Sequence, residues 1–199
     1  MGSVSTIRVR PCASAVPASS AWSLLVLAAA LAALGCTSRP RAPALIPESI
    51  YQNDQIGLRF EAPEDWVVHA KSILAAGESL PNERMLVGYK RPRSARPASF
   101  ELACWDAPET AKLVEHFTGK RSGPEAWRQV GEVETLTVGG RPARRLVFLQ
   151  SRRDFELRKE VTAVWHNGRF IFFTLVAAPD DAAARDEARR AVASAAWKN

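Results

Sequence analysis

The chain has 199 residues and a formal net charge of +6, with 47% hydrophobic and 24% charged residues. This length favours a single domain, and the ordinary balance of apolar and charged residues argues against wholesale disorder. The basic excess is too small and too dispersed for the dense cationic surface of a nucleic-acid-binding protein, so nucleic acid is excluded as an expected partner.

The N-terminal region has the pattern of an export signal. Arg8 and Arg10 precede an almost wholly apolar run at residues 21–34. As a helix this run would reach about 21 Å at roughly 1.5 Å per residue, which is short for a bilayer core of about 30 Å. The short apolar run and its positive flank instead predict a cleavable signal peptide over residues 1–35.

The end of the predicted signal reads Ala33-Leu34-Gly35-Cys36. This sequence resembles the lipobox of bacterial lipoproteins, in which a small residue precedes a cysteine whose sulfur accepts the lipid. It departs from that pattern at Ala33, where leucine is usual. The resemblance implies that Cys36 is lipidated, with a diacylglycerol on sulfur and often a further chain, such as palmitate, on the new amine. The alternative is an ordinary signal peptide that ends at a chance cysteine.

A lipidated Cys36 predicts a protein of the cell envelope, held to a membrane by its anchor. Residues 36–49 are rich in proline, which forbids a helix and favours an extended tether. Thr37 is not the aspartate that retains lipoproteins in the inner membrane by the usual enterobacterial rule. In a diderm host we therefore expect the outer membrane, with the domain facing the periplasm.

Residues 50–199 are predicted to form a single domain. In its first half, short segments alternate apolar and polar residues or are wholly apolar, which is typical of strands. These segments are residues 58–62, 66–68, 85–89 and 99–105. Residues 108–117 predict a helix, because Pro108 suits a first turn while Leu113, Val114 and Phe117 share an apolar face.

The second half of the domain has clearer signals. Further strands are predicted at residues 133–138, 143–150, 157–165 and 169–177. Gly139-Gly140 and Asn167-Gly168 predict turns, and Asn-Gly between two apolar strands is a strong hairpin signal. The nearly continuous apolar run at 170–176 predicts a central strand that is covered on both faces.

A closing helix is predicted to run to about Trp197, with Asp180 or Asp181 as its N-cap. Its apolar side is lined by Ala184, Ala188, Val192 and Ala195.

Two stretches of this pattern resemble the PsbP-like (Mog/PsbP-type) domains. One is Gly57-Leu58-Arg59-Phe60 followed by Ala62-Pro63-Glu64-Asp65-Trp66, and the other runs from Val138-Gly139-Gly140 through the hairpin to the closing helix. The resemblance covers about residues 50–197. It implies an α+β fold in which helices pack on both faces of an antiparallel sheet, an arrangement called an α/β/α sandwich. The family serves mostly as binding and assembly modules, and fold alone does not assign function.

Candidate catalytic groups do not form a recognisable constellation. His69, His116 and His166 lack metal-ligand spacing, and surface or turn positions explain them. Turns and helix capping explain the acidic clusters, which are Glu61, Glu64 and Asp65 in one and Asp180 and Asp181 in the other. There is no Gly-x-Ser-x-Gly motif and no phosphate-binding glycine loop. We therefore expect that the protein is not an enzyme and that it has no catalytic residue, no metal and no cofactor.

Cys104 is the cysteine that remains in the domain after Cys12 and Cys36 are accounted for. It shares strand parity with Phe100 and Leu102, so the three side chains should face one apolar side. This predicts a buried, inert thiol, in preference to a reactive one.

Basic residues and tryptophans each allow two interpretations. The basic residues are Lys90, Arg91, Arg93 and Arg96 in one group and Arg141, Arg144, Arg145, Arg152 and Arg153 in another. They predict a solvated face, with a patch for an anionic envelope component as the alternative. The tryptophans Trp66, Trp105, Trp127, Trp165 and Trp197 predict core and rim positions, with a ligand-binding aromatic surface as the alternative.

The sequence therefore favours a membrane-anchored envelope lipoprotein with a non-catalytic binding or scaffolding domain. Its partner would be an envelope protein or an anionic envelope component. Two rivals stay open. One is an envelope hydrolase with an unrecognised site, and the other is a lipid or glycan carrier that uses a cleft between sheet and helix.

Overall fold

The computed structural model describes residues 49–92, 97–119 and 126–198. The predictions for the signal, for Cys36 and for the tether up to residue 48 lie outside the described residues, as do those for Arg93 and Arg96. The described residues form mostly antiparallel sheet with two helices, and none of these helices is both long and apolar enough to span a membrane.

The strands are β1 (Ile50–Asn53), β2 (Leu58–Glu61), β3 (Val67–Lys71), β4 (Arg84–Lys90), β5 (Ser99–Asp106), β6 (Arg128–Gln129), β7 (Glu134–Val138), β8 (Arg141–Ser151), β9 (Glu156–His166), β10 (Arg169–Ala177) and β11 (Ala196–Trp197). The helices are α1 (Leu113–Thr118) and α2 (Ala182–Ala193).

These strands form a main sheet and a small sheet. The main sheet has the order β3-β4-β5-β10-β9-β8-β6, with β7 also paired to β8, and the small sheet has the order β1-β2-β11. β10 lies in the middle of the main sheet and pairs with β5 and β9 along its length. The prediction of a central strand in this apolar run is confirmed.

The main sheet buries apolar side chains on both faces. On the first face, a first core contains Phe60 of the small sheet, Phe173 of β10 and the alanines of α2. On the second face, a second core contains Phe172 of β10 and the α1 residues Leu113 and Phe117. Phe172 and Phe173 are 0% and 1% exposed, although consecutive strand residues point to opposite sides.

The turns between strands have the predicted geometry. Asn167 and Gly168 have φ angles of 51° and 81°, and Gly139 and Gly140 have φ angles of 56° and 80°. Positive φ at both central residues is the geometry that connects twisted antiparallel strands in two-residue hairpins. Gly139 has a second reason to be glycine, because a Cβ there would collide with the carbonyl oxygen of Ala195.

Two helix boundaries differ from the prediction. The first helix begins at Leu113 and not near Pro108, because the backbone of Lys112 is non-helical and Pro108 belongs to a separate turn closed by the Ala111 N–H. The last helix ends at Ala193, because the Ser194 hydroxyl donates to the Ala191 carbonyl and accepts the Glu61 N–H of the small sheet.

Trp197 is therefore a strand residue and not a helix residue. It pairs with Leu58 in the small sheet, and its indole N–H donates to the Val138 carbonyl at 3.0 Å. The C-terminal segment thus joins the small sheet to the turn that follows β7.

The start of α2 is fixed as predicted. The Asp181 side chain accepts the Ala184 N–H at 3.0 Å and pairs with Arg91 at 3.0 Å. Arg91 also reaches Glu187, which accepts the indole N–H of Trp66 at 2.6 Å. The predicted apolar side of the helix region, namely Ala184, Ala188, Val192 and Ala195, is buried.

Candidate functional site

The two faces of the main sheet differ in how completely their side chains are buried. The first core is covered by α2 and the small sheet. On the second face, Trp105, Trp127 and Trp165 are only half-buried against the second core. We call these tryptophans and the second core beneath them the aromatic face.

Hydrogen bonds to the backbone hold two of these indoles in place. The Trp105 N–H donates to the Pro81 carbonyl and the Trp165 N–H donates to the Ala107 carbonyl, both at 3.1 Å. A half-buried indole with its donor satisfied presents a rigid, apolar surface. The five tryptophans do occupy core and rim positions, but three of them lie on one face.

His116 belongs to this face. Its ring stacks on Trp105 with centroids 4.3 Å apart, and its Nε2 lies 2.6 Å from a carboxylate oxygen of Glu83. His116 lies on a helix beside Phe117, as predicted, and its side chain is 20% exposed, with the ring between the second core and Glu83.

Lys159 lies among aromatic rings on the same face. Its ammonium nitrogen is 4.1 Å from the ring centroid of Trp127 and 5.8 and 5.9 Å from those of Phe117 and Phe148. Burial lowers the pKa of Lys159 to about 8, and the negative charges of Glu83 and Glu101 oppose that shift. Sequence reasoning missed this residue, although it shares strand parity with the buried Val161.

An open groove lies between the α1 region and β8. One wall is the chain from Thr110 to Glu115, and the other side consists of Val133, Arg144 and Leu146. Its volume is about 560 Å³, within the roughly 300–1,000 Å³ that is usual for ligand pockets. We call it the α1 groove. Its position corresponds to the cleft between sheet and helix that a carrier would use.

Two of the basic residues that the structure describes are engaged by neighbouring side chains. Arg145 pairs with Glu134 and Glu160 at 3.0 and 3.3 Å, and Arg152 lies over the ring of Phe155. Arg144 is exposed, and among the described residues its guanidinium has no ion pair or hydrogen bond.

A buried carboxylate links α2 to the main sheet. Glu160 is 5% exposed, and Arg189 of α2 donates to both of its oxygens at 2.8 and 3.0 Å. Burial alone would raise the pKa of Glu160, but the bonds from Arg189 and the charges of Arg145 and Arg158 outweigh it and hold the pKa below its ordinary value.

The other two histidines lie apart from this face. His166 flanks the Asn167-Gly168 hairpin turn, as predicted, but it does not lie on the surface: it is 3% exposed and packs against Trp197. Burial lowers the pKa of His166, and the neighbouring Arg141 lowers it further. His69 is exposed, with its ring over Gly88. In the ranges that the structure describes, no three His, Cys, Asp or Glu residues are grouped to hold a metal ion.

Cys104 is buried in the first core with Phe100 and Leu102, which confirms the parity argument. Burial raises the pKa of its thiol to about 11, so very little thiolate exists at neutral pH. Cys104 therefore has the environment of an inert core residue.

No protein-family model and no curated protein matches the chain. Among solved structures, it is similar to cyanobacterial PsbP (CyanoP) from Synechocystis sp. PCC 6803. The TM-score is 0.53 and the identity 13%, over 75% of this chain and 91% of that chain. The likeness is one of fold. It agrees with the PsbP-like pattern in the sequence.

Two further structures match at lower scores. LpqN, involved in cell envelope biogenesis of Mycobacterium tuberculosis, has a TM-score of 0.46 and 16% identity, over 71% of this chain and 83% of that chain. A protein from Bacteroides thetaiotaomicron VPI-5482 has a TM-score of 0.48 and 9% identity, over 76% of this chain. The chain spans about half of that protein's length, 48%.

Proposed function

We propose that this chain is a lipid-anchored protein of the cell envelope whose domain is a non-catalytic binding or scaffolding module. The anchor is proposed from Ala33-Leu34-Gly35-Cys36 at the end of the apolar run. In a diderm host the anchor places the domain on the periplasmic face of the outer membrane.

The observation that carries the binding role is the contrast between the two faces of the main sheet. The first core is closed by α2 and the small sheet, whereas the aromatic face keeps three tryptophans half-exposed. Two residues of its core, Leu113 and Leu146, also line the α1 groove. Half-exposed aromatic residues are characteristic of binding surfaces, because they bury much area at low entropic cost, and a groove on the same core offers a concave site. We therefore propose the aromatic face as the binding surface.

The three-layer arrangement is part of the same proposal. In it, α2 forms the layer on the first face and α1 the layer on the second, where Leu113 and Phe117 are buried. Because α1 is short, it leaves the tryptophans beside it partly uncovered, and this gives the binding surface its place in the fold.

The hydrolase alternative ranks second. A hydrolase of this kind needs a nucleophile beside a general base. Among the described residues, the hydrogen-bonding partner of His116 is Glu83, and the Cys104 thiol lies in the opposite core. The pair of His116 and Glu83 supports a positioned aromatic surface better than it supports a catalytic dyad.

Lipidation of Cys36 is tested by the intact mass of protein extracted from membranes. We expect a mature chain that begins at Cys36 and carries acyl mass, and we expect Cys36→Ser to accumulate as uncleaved precursor. A mature chain that begins elsewhere or lacks acyl mass would refute the anchor and leave the binding role standing.

The binding surface is tested by a pull-down from envelope extract with the full chain. Thr110→Arg adds bulk and charge at the rim of the α1 groove, on an exposed residue. Glu64→Arg makes a similar change at an exposed turn outside the groove and serves as the matched control. We expect partner recovery to fall at least tenfold for Thr110→Arg and to stay unchanged for Glu64→Arg. Equal recovery from both variants would place the binding surface elsewhere.

A further inference from the structure

The walls of the α1 groove are mainly apolar. Leu113 and Val114 contribute from α1, and Leu146 contributes from β8, where it belongs to the second core. Val133 lies opposite and is 40% exposed, which is high for a large aliphatic side chain. Leu113 and Leu146 are only 4% and 1% exposed and form the floor of the groove, so a hydrocarbon segment would mainly remove the exposed surface of Val114 and Val133 from water.

The groove also has one uncompensated positive charge. Of its three charged lining residues, Lys112 pairs with Glu115 at 3.0 Å. Arg144 has no such partner among the described residues. Because Arg144 and Leu146 are two positions apart on β8, they share a side of the strand, so the cation adjoins the apolar wall.

We infer that the α1 groove binds a small amphiphile with a single anionic head, of which a fatty acid is the simplest form. The hydrocarbon part packs between Val114 and Val133 over the floor formed by Leu113 and Leu146, and the head accepts hydrogen bonds from the Arg144 guanidinium. A planar guanidinium matches a carboxylate with two parallel hydrogen bonds, which favours an anionic head over a neutral one. This inference rests on the proposed binding function and names its ligand class.

The test uses the full chain held in phosphatidylcholine nanodiscs, with empty nanodiscs as the blank. Binding of fluorinated octanoate is followed by ¹⁹F NMR. Fluorinated hexanoate, which is shorter, and fluorinated octanol, which lacks the charge, are the comparison ligands. Each buried methylene tightens binding about fourfold, so octanoate should bind about 15-fold more tightly than hexanoate. Octanol should bind more weakly than octanoate.

Two variants, with one control, distinguish binding of the anionic head from binding of the hydrocarbon part. Arg144→Gln should weaken octanoate binding about 10- to 100-fold and leave octanol binding unchanged, because a charge-assisted bond is lost. Arg128→Gln, which changes an exposed arginine of β6 outside the groove, is the matched control and should change neither. Thr110→Trp fills the groove and should abolish binding of both ligands.

Each contrary outcome overturns a stated part of the inference. If octanoate and octanol bind equally well, the groove does not require an anionic head. If octanoate and hexanoate bind equally well, the hydrocarbon part makes no contact, and the binding is only ion attraction at an exposed arginine. Binding that survives Thr110→Trp places the site elsewhere. If Thr110→Arg abolishes recovery of the envelope partner but the wild-type protein does not bind octanoate, the proposed function stands and this inference is refuted.

Discussion

Phe172→Ala and Phe173→Ala are each expected to lower the free energy of unfolding by about 3–5 kcal/mol, which is the usual loss for a fully buried phenylalanine. The two side chains are neighbours in sequence but lie in different cores. Losing either one removes a large apolar side chain and leaves a cavity that its neighbours fill only in part. Denaturant melts of the two variants measure the loss directly.

Each phenylalanine has close aromatic neighbours in its own core. The ring centroid of Phe173 is 5.5 Å from that of Phe60 of the small sheet. The centroid of Phe172 is 4.9 Å from that of Phe117 and 6.4 Å from that of Trp105. Phe173→Ala therefore weakens the contact between the two sheets, and Phe172→Ala weakens the support beneath the aromatic face.

Phe155→Ala is the matched control for both variants. Phe155 is 51% exposed at the turn between β8 and β9, so its loss should change stability by no more than about 0.5 kcal/mol. A Phe172→Ala variant as stable as this control would show that the second face is not a packed core. A Phe173→Ala variant as stable as this control would show that Phe173 does not help to hold the small sheet against the main sheet.

The sequence was sufficient to predict burial on both sides of β10, because a nearly unbroken apolar run leaves no side for water. It could not predict what covers the second side. The second core there includes Leu113 and Phe117 of α1, and Trp105 of β5 stacks on His116 of α1, a contact that arises only through long-range pairing. The burial of Phe172 thus needs less helix than a full α/β/α sandwich supplies.

The candidate site was less accessible to sequence reasoning than the fold. The alternation along β8 and β9 predicts which side each residue faces, but Lys159 and Arg144 both sit in stretches that resemble solvated strands. Their surroundings depend on where α1 begins, and that depends on the non-helical backbone of Lys112. Local patterns do not contain this information, because a turn closed at Pro108 competes with helix formation there.

Glu160→Gln is expected to cost about 3–5 kcal/mol, because it removes the buried anion that pairs with the partly exposed Arg145, Arg158 and Arg189. Arg189 is 43% exposed, so the loss should fall toward the lower end of that range. Glu134→Gln removes the other carboxylate near Arg145, but Glu134 is 59% exposed and its loss should cost at most about 1 kcal/mol. This pair of variants changes the same chemical group in a buried and an exposed setting.

The contribution of Glu160 is also expected to depend on pH in a defined direction. Its pKa in the folded protein is below the ordinary 4.5, because hydrogen bonds from Arg189 and the nearby arginine charges outweigh the effect of burial. A lowered folded pKa stabilises the protein above the unfolded pKa, and this stability is lost as the pH falls through the folded value. The difference in unfolding free energy between wild type and Glu160→Gln should therefore be constant from about pH 5.5 to 8 and shrink below about pH 4.5. A difference that stays constant into the acid range, measured by urea melts at each pH, would show that Glu160 stabilises the fold by its shape and not by its charge.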